Sequence, residues 1–364
     1  MGPSTILALD LGKFKTVCCV MDPATRQHAF QTIDMSPANL HDLIVQHMTT
    51  PDPAQTLVVF ETCDCAGWVH DICTALGVSI RCVHSGGEAW QWRRVKRKTD
   101  RDDALKLAKL ALMDQLTPVH VPSPQQRQRR RLILHRRSIV SRRTQSRNAI
   151  RSIFGQQGIP LARGGKQWTR AGIGQLRSYA RPIEACDDIL DLWRGRLQVE
   201  LELIEAADAQ LKRLDAKLDE LAESDDRVKL LQTVKGVGPR TAEAVVLHLD
   251  DVHRFKNADQ VACYAGLVPK QIESGQMSRL GHITRRGPAL LRSMLVEAAW
   301  VVWRHNDWAQ AWVTKISRGS KARRKIAMVA LARKLLLILW SMLKHNQPFK
   351  APGTPPAMTA VVAT

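Results

Sequence analysis

Four carboxylates stand where they could act together in one site. Asp10 ends one apolar run and Glu61 ends another, while Asp100 and Asp103 open a helix-like segment. A spacing of three puts Asp100 and Asp103 on one helix face, from which both can point back at the strands. Converging carboxylates repel one another unless cations lie among them, and hard oxygen ligands favour Mg²⁺, with Mn²⁺ as an alternative. Two such ions about 4 Å apart can promote an in-line phosphoryl displacement.

Each acid taken alone has a plainer explanation. Asp100 could cap the N-terminus of its helix, because aspartate is common there. Asp102 and Asp64 are alternatives for individual positions, and Asp103 is preferred to Asp102 because Asp102 would lie on another helix face. The four acids are favoured as one site because they lie at the ends of two strands and at the start of a helix within a single predicted fold.

That topology is a three-stranded meander followed by alternating helices and strands. The strand that ends at Glu61 would lie beside the strand that ends at Asp10, as in an RNase H-like domain. The predicted strands are near residues 5–11, 16–21, 28–33, 57–61 and 78–83, with helices near 37–48 and 66–76.

The bulk composition points to a nucleic acid partner. The 364 residues suit two domains with connecting helices, and a hydrophobic content of 45% allows buried cores. Lysine and arginine total 54 against 34 acids, and the net charge of +20 favours nucleic acid over a membrane surface. The apolar run 326–343 carries Arg333 and Lys334, so we predict a buried helix and no membrane partner. We expect no signal peptide and a cytoplasmic location in association with nucleic acid.

The eight cysteines show no metal-binding spacing. They form no Cys-x-x-Cys pair, and no histidine lies at zinc-finger spacing from them. Six of the eight fall in the predicted α/β domain. We therefore expect reduced core thiols rather than a metal or redox site.

Charge is distributed in blocks along the chain. Residues 115–183, the basic block, hold fifteen lysines and arginines and no acid. Such a run repels itself unless a polyanion is present, although a solvated charged face is the plainer alternative. We predict nucleic acid contact, with DNA and RNA both open. The predicted contact residues are Arg127, Arg129, Arg130, Arg131, Arg136, Arg137, Arg142, Arg143 and Arg147.

Residues 184–226, the acidic block, carry a negative net charge, with fourteen acids and five bases. Apolar residues recur there at steps of three and four, which predicts a long amphipathic helix with coiled-coil character. The pattern leaves open whether this apolar seam packs on the same chain or on a second copy. The seam residues are Leu197, Leu201, Ile204, Leu211, Leu214, Leu218 and Leu221.

Two later segments could handle DNA. The run Lys235-Gly236-Val-Gly238-Pro-Arg240 predicts a helix-hairpin-helix, whose backbone N–H groups could approach a phosphate, with a structural turn as the alternative. Ser274 lies in a polar, glycine-bounded loop, where composition alone suggests an ordinary turn residue. The bases that follow it, also predicted to bind nucleic acid, are Arg279, Arg285, Arg286 and Arg292.

The ordered motifs of the chain resemble the DEDD transposases of insertion sequence family 110, relatives of the Piv-like DNA invertases. The resemblance runs from Ala8 to about Arg292, and the whole ordered set carries it. The motifs are Leu9-Asp10-Leu-Gly-Lys, Phe60-Glu61-Thr, Lys98-Thr-Asp100-Arg-Asp-Asp103-Ala, Gly236-Val-Gly238-Pro, Ala265-Gly-Leu-Val-Pro269, Glu273-Ser274-Gly275 and Gly281-His-Ile-Thr-Arg-Arg-Gly287.

The resemblance implies a RuvC-like catalytic domain joined by a coiled coil to a mostly helical transposase domain. Asp10, Glu61, Asp100 and Asp103 would bind Mg²⁺, and Ser274 would be a nucleophile that forms a covalent phosphoserine bond with DNA. The implied divisions are 1–115 catalytic, 116–182 nucleic-acid-binding, 183–226 coiled coil, 227–347 transposase and 348–364 loose tail.

The implied partners are donor and target DNA and a structured guide (bridge) RNA, which the basic block could hold. We expect a dimer or tetramer in which the acids of one protomer meet Ser274 of another; Ser278 lies close but lacks the following glycine. Insertion, excision and inversion all stay open.

Two rival functions also stay open. A hydrolytic nuclease or junction resolvase would survive Ser274→Ala, and a non-catalytic binding protein would be indifferent to Asp10→Ala.

Overall fold

The computed structural model describes residues 2–84, 99–274 and 277–351, with the backbone alone for residues 272–274, 277, 278 and 280. The chain divides into two compact units, the N-terminal unit Met1–Arg127 and the C-terminal unit Gln128–Thr364. The first is a mixed α/β domain and the second is mainly helical. This confirms the predicted fold class at that level.

The N-terminal unit is built on a five-stranded mixed sheet in the order β3-β2-β1-β4-β5. Strands β1, β2 and β3 form an antiparallel meander, β4 runs parallel to β1, and β5 runs parallel to β4. The predicted neighbour relation of β1 and β4 is therefore confirmed. The elements are β1 (Thr5–Leu11), β2 (Lys15–Met21), β3 (His28–Asp34), α1 (Pro37–Gln46), β4 (Thr56–Glu61), α2 (Ala66–Ala75), β5 (Ser79–Val83) and α3 (Asp100–Leu112).

Alternation along the strands sends side chains into two hydrophobic layers. Leu7 and Phe60 pack with α1 and α2 on one face of the sheet. Ala8 and Val59 pack with α3 on the other face. The central strands are buried on both sides, which explains their nearly continuous apolar sequences.

The cysteines are only partly accounted for by these layers. All eight are free, and Cys73 and Cys82 are buried, which raises the pKa of each thiol to about 12 and keeps it protonated at neutral pH. Cys63 and Cys263 are exposed, so the expectation of core thiols is wrong for these two. Cys63 lies in the loop after β4, and Cys263 lies on the open side of a short helix.

The C-terminal unit consists of helices and one β-hairpin. The elements are α4 (Pro124–Gln156, which begins just before the unit boundary), α5 (Arg170–Tyr179), α6 (Leu192–Glu223), α7 (Asp226–Gln232), α8 (Pro239–Leu249), α9 (Ala258–Tyr264), β6 (Pro269–Ser274), β7 (Met277–Ile283), α10 (Ala289–His305), α11 (Asp307–Ser317) and α12 (Arg324–His345). Short 3₁₀ turns occur at Pro53–Gln55, Gly164–Trp168, Ile183–Ala185, Ile189–Asp191 and Val252–Arg254.

Helices α4 and α6 pack against each other along the predicted apolar seam. Ile153 meets Leu201 near one end, and Ile133 meets Leu218 near the other. Because rising residue numbers on α4 meet falling numbers on α6, the two helices are antiparallel. Of the two possibilities left open for the seam, packing on the same chain is the one observed.

Helix α12 lies at the centre of the helical core. It contributes the buried residues Leu331, Leu335 and Leu339, which pack with α7 to α11. Among the described residues α12 is the one helix long and apolar enough to cross a membrane. Its burial within the protein confirms the predicted core helix.

A turn with two glycines joins α7 to α8. Gly236 has φ +102°, and a Cβ built there would lie 2.9 Å from the backbone nitrogen of Val302 on α10. Gly238 is the N-cap of α8 with φ −82°, and a Cβ there would meet nothing within 4 Å. Packing and backbone conformation therefore require glycine at the first position only.

This contrast gives a stability prediction. Gly236→Ala should lower the free energy of unfolding by about 2 kcal/mol, because the methyl group clashes with α10 and the backbone is left-handed. Gly238→Ser should leave it unchanged or raise it slightly, because serine is a good N-cap. Urea unfolding of both variants tests this, and equal losses would contradict it.

His248 is a buried titratable group near the end of α8. It is 8% exposed, and burial, together with the charges of Arg130 and Arg254, lowers the pKa of its imidazole to about 4. The same two guanidinium groups donate to the last carbonyls of α8, those of Leu247, His248 and Leu249. The cations thus stabilise the helix end and oppose protonation of the ring.

We predict that acidification weakens the fold through His248. Between pH 6.5, the ordinary pKa, and about 4, the unfolded chain binds a proton that the folded chain does not. The free energy of unfolding should therefore fall as pH drops through this window, by up to about 3 kcal/mol from this group. Urea unfolding at pH 7 and 4.5 should show a smaller loss for His248→Gln than for the unmodified protein. The exposed His305→Gln is the control, and an unchanged pH dependence in His248→Gln would contradict the assignment.

Candidate active site

Asp10 and Glu61 lie side by side at the ends of adjacent parallel strands. Leu9 is opposite Phe60 in the β1–β4 register, so the next positions along the two strands are Asp10 and Glu61. Both side chains are partly buried. Neighbouring strands are about 4.8 Å apart, so the two carboxylates start from closely spaced backbone positions.

Both acids belong to the face of the sheet that α3 covers. Residues two apart in a strand share a face, and Ala8 and Val59 pack in the layer under α3. Asp10 and Glu61 continue these two series by one step each. The layer that is hydrophobic in the middle of the sheet thus ends in carboxylates.

Helix α3 begins with a capping box. The Thr99 hydroxyl accepts a hydrogen bond from the Asp102 N–H (3.3 Å), and the Asp102 carboxylate accepts from the Thr99 N–H (3.1 Å). The N-cap is therefore Thr99, and the alternative that Asp100 caps the helix is wrong. The carboxylate of Asp102 is engaged in the cap, which explains its place away from the other acids.

Asp100 and Asp103 lie on the sheet-facing side of α3. They precede the buried Ala104 and Leu107 by four residues each, and residues four apart share a helix face. Asp103 is partly buried and Asp100 is exposed. Asp10, Glu61 and Asp103 therefore belong to the layer between the sheet and α3, and Asp100 is exposed at the start of the same helix.

Two contacts fix the path of α3 across the sheet. The Arg101 guanidinium lies 5.7 Å from the ring centroid of Phe30 in β3, and Asp114, just after the helix, pairs with Arg81 of β5 at 2.7 Å. The helix consequently passes over the central strands between these edges.

The acids share a layer without forming a closed cluster. Within the described ranges, no group of three or more His, Cys, Asp or Glu side chains lies close enough to hold a metal ion. Lys98, which completes the motif before Asp100, lies outside the described residues.

Ser274 belongs to the C-terminal unit and is the last residue of β6. It pairs with Met277 of β7, and Ser278 pairs with Glu273. The side chains of both serines, and Gly275 of the Ser-Gly motif, lie outside the described part of the structure.

The bases after this hairpin differ in their surroundings. Arg292 donates to the carbonyls of Ala265 (2.9 Å) and Arg286 (3.1 Å), and its partial burial lowers the pKa of its guanidinium. It therefore holds the turn at Gly266 together. Arg279, Arg285 and Arg286 are exposed.

The predicted nucleic-acid-binding arginines of the basic block are largely paired inside the protein. Arg136 bonds Asp215 at 2.6 and 3.1 Å, and Arg143 bonds Asp208 at 2.5 Å, both across the α4–α6 contact. Arg127 pairs with Asp71 in the N-terminal unit. The assumption that this block needs an external polyanion is therefore too simple, because the acidic block supplies much of the counter-charge.

A buried carboxylate ties α8 into this pairing. Glu243 is fully buried, and its oxygens lie 2.7 Å from Arg240 and 3.6 Å from Arg129. Desolvation raises the pKa of Glu243, and the two guanidinium groups oppose that rise. Arg129 also bonds Asp225 at 2.9 Å, and Arg240 also pairs with Asp219.

The remaining predicted binding residues divide into held and exposed ones. Arg130 caps α8, and Arg147 stacks on Trp168 at 4.9 Å from the ring centroid. Arg137 lies 3.9 Å from Glu297, a long and exposed pair. Arg131, Arg142 and Lys235 are exposed, and no ion pair joins them to a described acid.

Comparison with known proteins agrees with this organisation. A model of IS110-type DEDD transposases, described as "Transposase", matches residues 7–157, and the "Transposase IS116/IS110/IS902 family" matches residues 228–314. Their order and spacing reproduce the two parts that carry the acids and the Ser274 hairpin. The chain belongs to the IS110 family of DEDD transposases.

Two individual transposases show the same likeness over most of their length, and a gene-inverting protein shows it over a shorter stretch. A "Probable family 20 transposase" of Pseudomonas aeruginosa is 29% identical over 82% of this chain and 86% of its own. The transposase of element IS1111A from Coxiella burnetii is 28% identical over 70% and 68%. The pilin gene-inverting protein of Moraxella bovis is 31% identical over 35% and 40%. The chain is thus an insertion-sequence transposase, an enzyme that transposes DNA, and its family implies DNA binding and use of a divalent metal.

The internal charge pairing of this transposase is the feature that sequence reasoning missed. The signal was present, because a block of fifteen bases is followed at once by a block of fourteen acids. Two adjacent helices of opposite charge can neutralise each other when the chain folds back. Glu243 carried no comparable signal, since its burial depends on the packing of α8.

The pairing predicts which arginines are structural. Arg129→Leu should lower the free energy of unfolding by about 3 kcal/mol, because it leaves two buried acids short of a partner. Adding Glu243→Gln should recover part of the loss. Arg142→Leu, on the exposed side of the same helix, should stay within about 0.5 kcal/mol of the parent. Urea unfolding measures all three, and a stable Arg129→Leu would contradict the assignment.

Proposed function

We propose that this transposase cuts and rejoins DNA through a covalent serine intermediate. In this proposal residues 1–115 form an RNase H-like, RuvC-like catalytic domain whose Asp10, Glu61, Asp100 and Asp103 bind Mg²⁺. Residues 227–347 form a transposase domain in which Ser274 is the nucleophile. The adjacency of Asp10 and Glu61, on the face that α3 covers, is the observation that carries the proposal.

The donor set has the right chemistry for a hard divalent cation. All four groups are carboxylates, and oxygen ligands suit Mg²⁺ better than softer metals. When bound, the metal would supply charge stabilisation to an in-line displacement at phosphorus. The residues' own part would be to hold the cation at the end of the sheet, where the hydrophobic layer gives way to acids.

The serine step exchanges one bond to phosphorus for another. The Ser274 oxygen forms a bond to phosphorus as it loses its proton, and the bond from phosphorus to one DNA strand breaks. The departing strand oxygen gains a proton and becomes a free hydroxyl. A hydroxyl from a different strand then attacks the phosphoserine, which releases the serine and joins new ends.

We further propose that the site is composite, with the acids of one protomer and Ser274 of another in a dimer or tetramer. The acids and the serine belong to different compact units of the chain, which supports a site assembled from separate parts. The acidic helix α6 would hold the protomers together through side chains outside its contact with α4, such as the exposed Val199 and Leu203. Mixing inactive Asp10→Ala with inactive Ser274→Ala protein would restore activity in such a site.

A guide RNA is proposed as a partner for the exposed part of the basic block. Arg131 and Arg142 on α4, and Arg163, Lys166 and Arg170 after it, are exposed. These cations could track an RNA backbone. The α7–α8 turn, a helix-hairpin-helix in this proposal, would hold DNA through Gly238 and its neighbours. The name of the Moraxella relative describes inversion, which is one of the three outcomes left open with insertion and excision.

A covalent-adduct trap tests the chemistry. The transposase, expressed with its flanking element DNA and supplied with Mg²⁺, should give a protein–DNA band after denaturation. Ser274→Ala should abolish the band because the bond to phosphorus cannot form. Asp10→Ala should reduce it by at least about 100-fold, as expected when a catalytic group is lost. Ser278→Ala is the matched control and should retain the band.

Other outcomes would replace the proposal. Nicked DNA without an adduct, still made by Ser274→Ala, would identify a hydrolytic nuclease. Nucleic acid binding with no cleavage in the presence of element-derived RNA, unchanged by Asp10→Ala, would identify a binding protein.

A further inference from the structure

We propose that the segment Lys315–Lys325, from the last turn of α11 to the first turn of α12, is a further DNA-binding surface that holds the phosphate backbone of duplex DNA. We call this segment the basic connection. The inference rests on the DNA-transposing activity of the family and adds a surface to it. The segment begins just beyond the family match, which ends at residue 314.

The basic connection carries an uncompensated charge. Its exposed bases stand within eleven residues, and no acid occurs anywhere from residue 308 to 364. No ion pair joins any of them to an acid in the described part of the chain, in contrast to α4 arginines such as Arg136 and Arg143. The exposed bases are Lys315, Arg318, Lys321, Arg323 and Lys325.

The start of α12 adds an independent observation. Its N-cap is Arg323, which makes no side-chain capping bond, and its first turn contains no acid but begins with Arg324 and Lys325. The positive end of the helix dipole disfavours cations at this position, and the usual capping residues are serine, threonine, aspartate and asparagine. The cations at this position therefore lower the stability of α12. A phosphate bound to them would offset their repulsion from the positive end of the helix dipole.

The backbone of the connection is held in place. Arg318 and Gly319 adopt left-handed conformations with φ +51° and +72°, and the Ser320 N–H donates to the Ser317 carbonyl at 3.0 Å. The flanking helices are anchored in the core by the buried Val313 and Ala327. A DNA backbone would therefore have to order side chains only, which lowers the entropic cost of binding.

The absence of aromatic residues favours duplex DNA over unpaired RNA. The sequence from Lys315 to Lys325 contains no Phe, Tyr or Trp. Recognition of unstacked bases depends on such side chains as stacking platforms. The nearby Trp303 ring is covered by Arg324, 5.5 Å from its centroid. Cations without a stacking surface suit phosphates along a paired helix.

The test compares two variants of the full-length protein that lose the same charge. One is Arg318→Gln with Lys321→Gln and Arg323→Gln. The control is Lys212→Gln with Arg213→Gln and Lys217→Gln, three exposed bases on the acid-rich α6. The probes are a mixed-sequence DNA duplex and an RNA hairpin of similar length, titrated over a range of salt concentrations.

The first variant should bind the duplex at least about tenfold more weakly, with a salt slope less steep by about 2 to 3, since each phosphate contact contributes about 0.9. The control should change affinity less than about twofold. The Tm of the first variant should stay close to that of the parent, because removing Arg323 from the N-terminus of α12 favours that helix while removing Arg318 from the C-terminus of α11 has the opposite effect. A structural role would instead lower the Tm.

Three results would overturn the inference. They are an unchanged duplex affinity and slope, an equal loss in the control, or a loss confined to the RNA hairpin. If the parent gives no adduct while the first variant still loses duplex affinity, the serine mechanism fails and this surface stands.

Discussion

The antiparallel packing of α4 on α6 is the contact on which the C-terminal unit depends. Helix α4 is rich in arginine and contains no acid, so alone it would repel itself and have little reason to stay ordered. Helix α6 supplies an apolar seam, in which Ile153 meets Leu201, and acids such as Asp208 and Asp215 opposite the arginines. The seam provides burial, and the charges set which faces meet and in which direction.

Glu243 extends this contact into the helical core. A fully buried carboxylate is costly to desolvate, and Arg129 of α4 and Arg240 of α8 offset that cost only when both helices are correctly placed. Replacing such a group by apolar residues is often neutral in stability, so its main contribution is to specify one arrangement. The arrangement fixes the start of α8, and with it the turn at Gly236 that packs against Val302. Charge pairing along α4 thereby orients the predicted DNA-binding turn.

Local pattern was sufficient to predict the sheet and the placement of its acids. Apolar runs ending in Asp10 and Glu61 marked strand ends, and the adjacency of those strands followed from the meander. Helix α3 was also foreseeable, but Thr99 rather than Asp100 begins it, because a threonine followed by Asp102 at the third helical position forms a reciprocal cap. The α4–α6 ion pairs join residues 65 to 79 positions apart and are invisible to local rules. In the composite site that we propose, the acids and Ser274 would meet through assembly, which no spacing within one chain encodes.

The division of bases into paired and unpaired groups changes what the net charge of +20 means. A guanidinium already bonded to Asp208 or Asp215 has a partner that a phosphate would have to displace, at the cost of leaving a carboxylate near the new anion. Those arginines would therefore contribute to the long-range field that attracts DNA and would form few direct contacts. We propose that direct contact falls to bases that the fold leaves without acids, such as Arg131 and Arg142 on α4 and the bases of the basic connection. Because only direct contacts displace counterions from phosphates, the salt dependence of binding reports this smaller set and not the total charge.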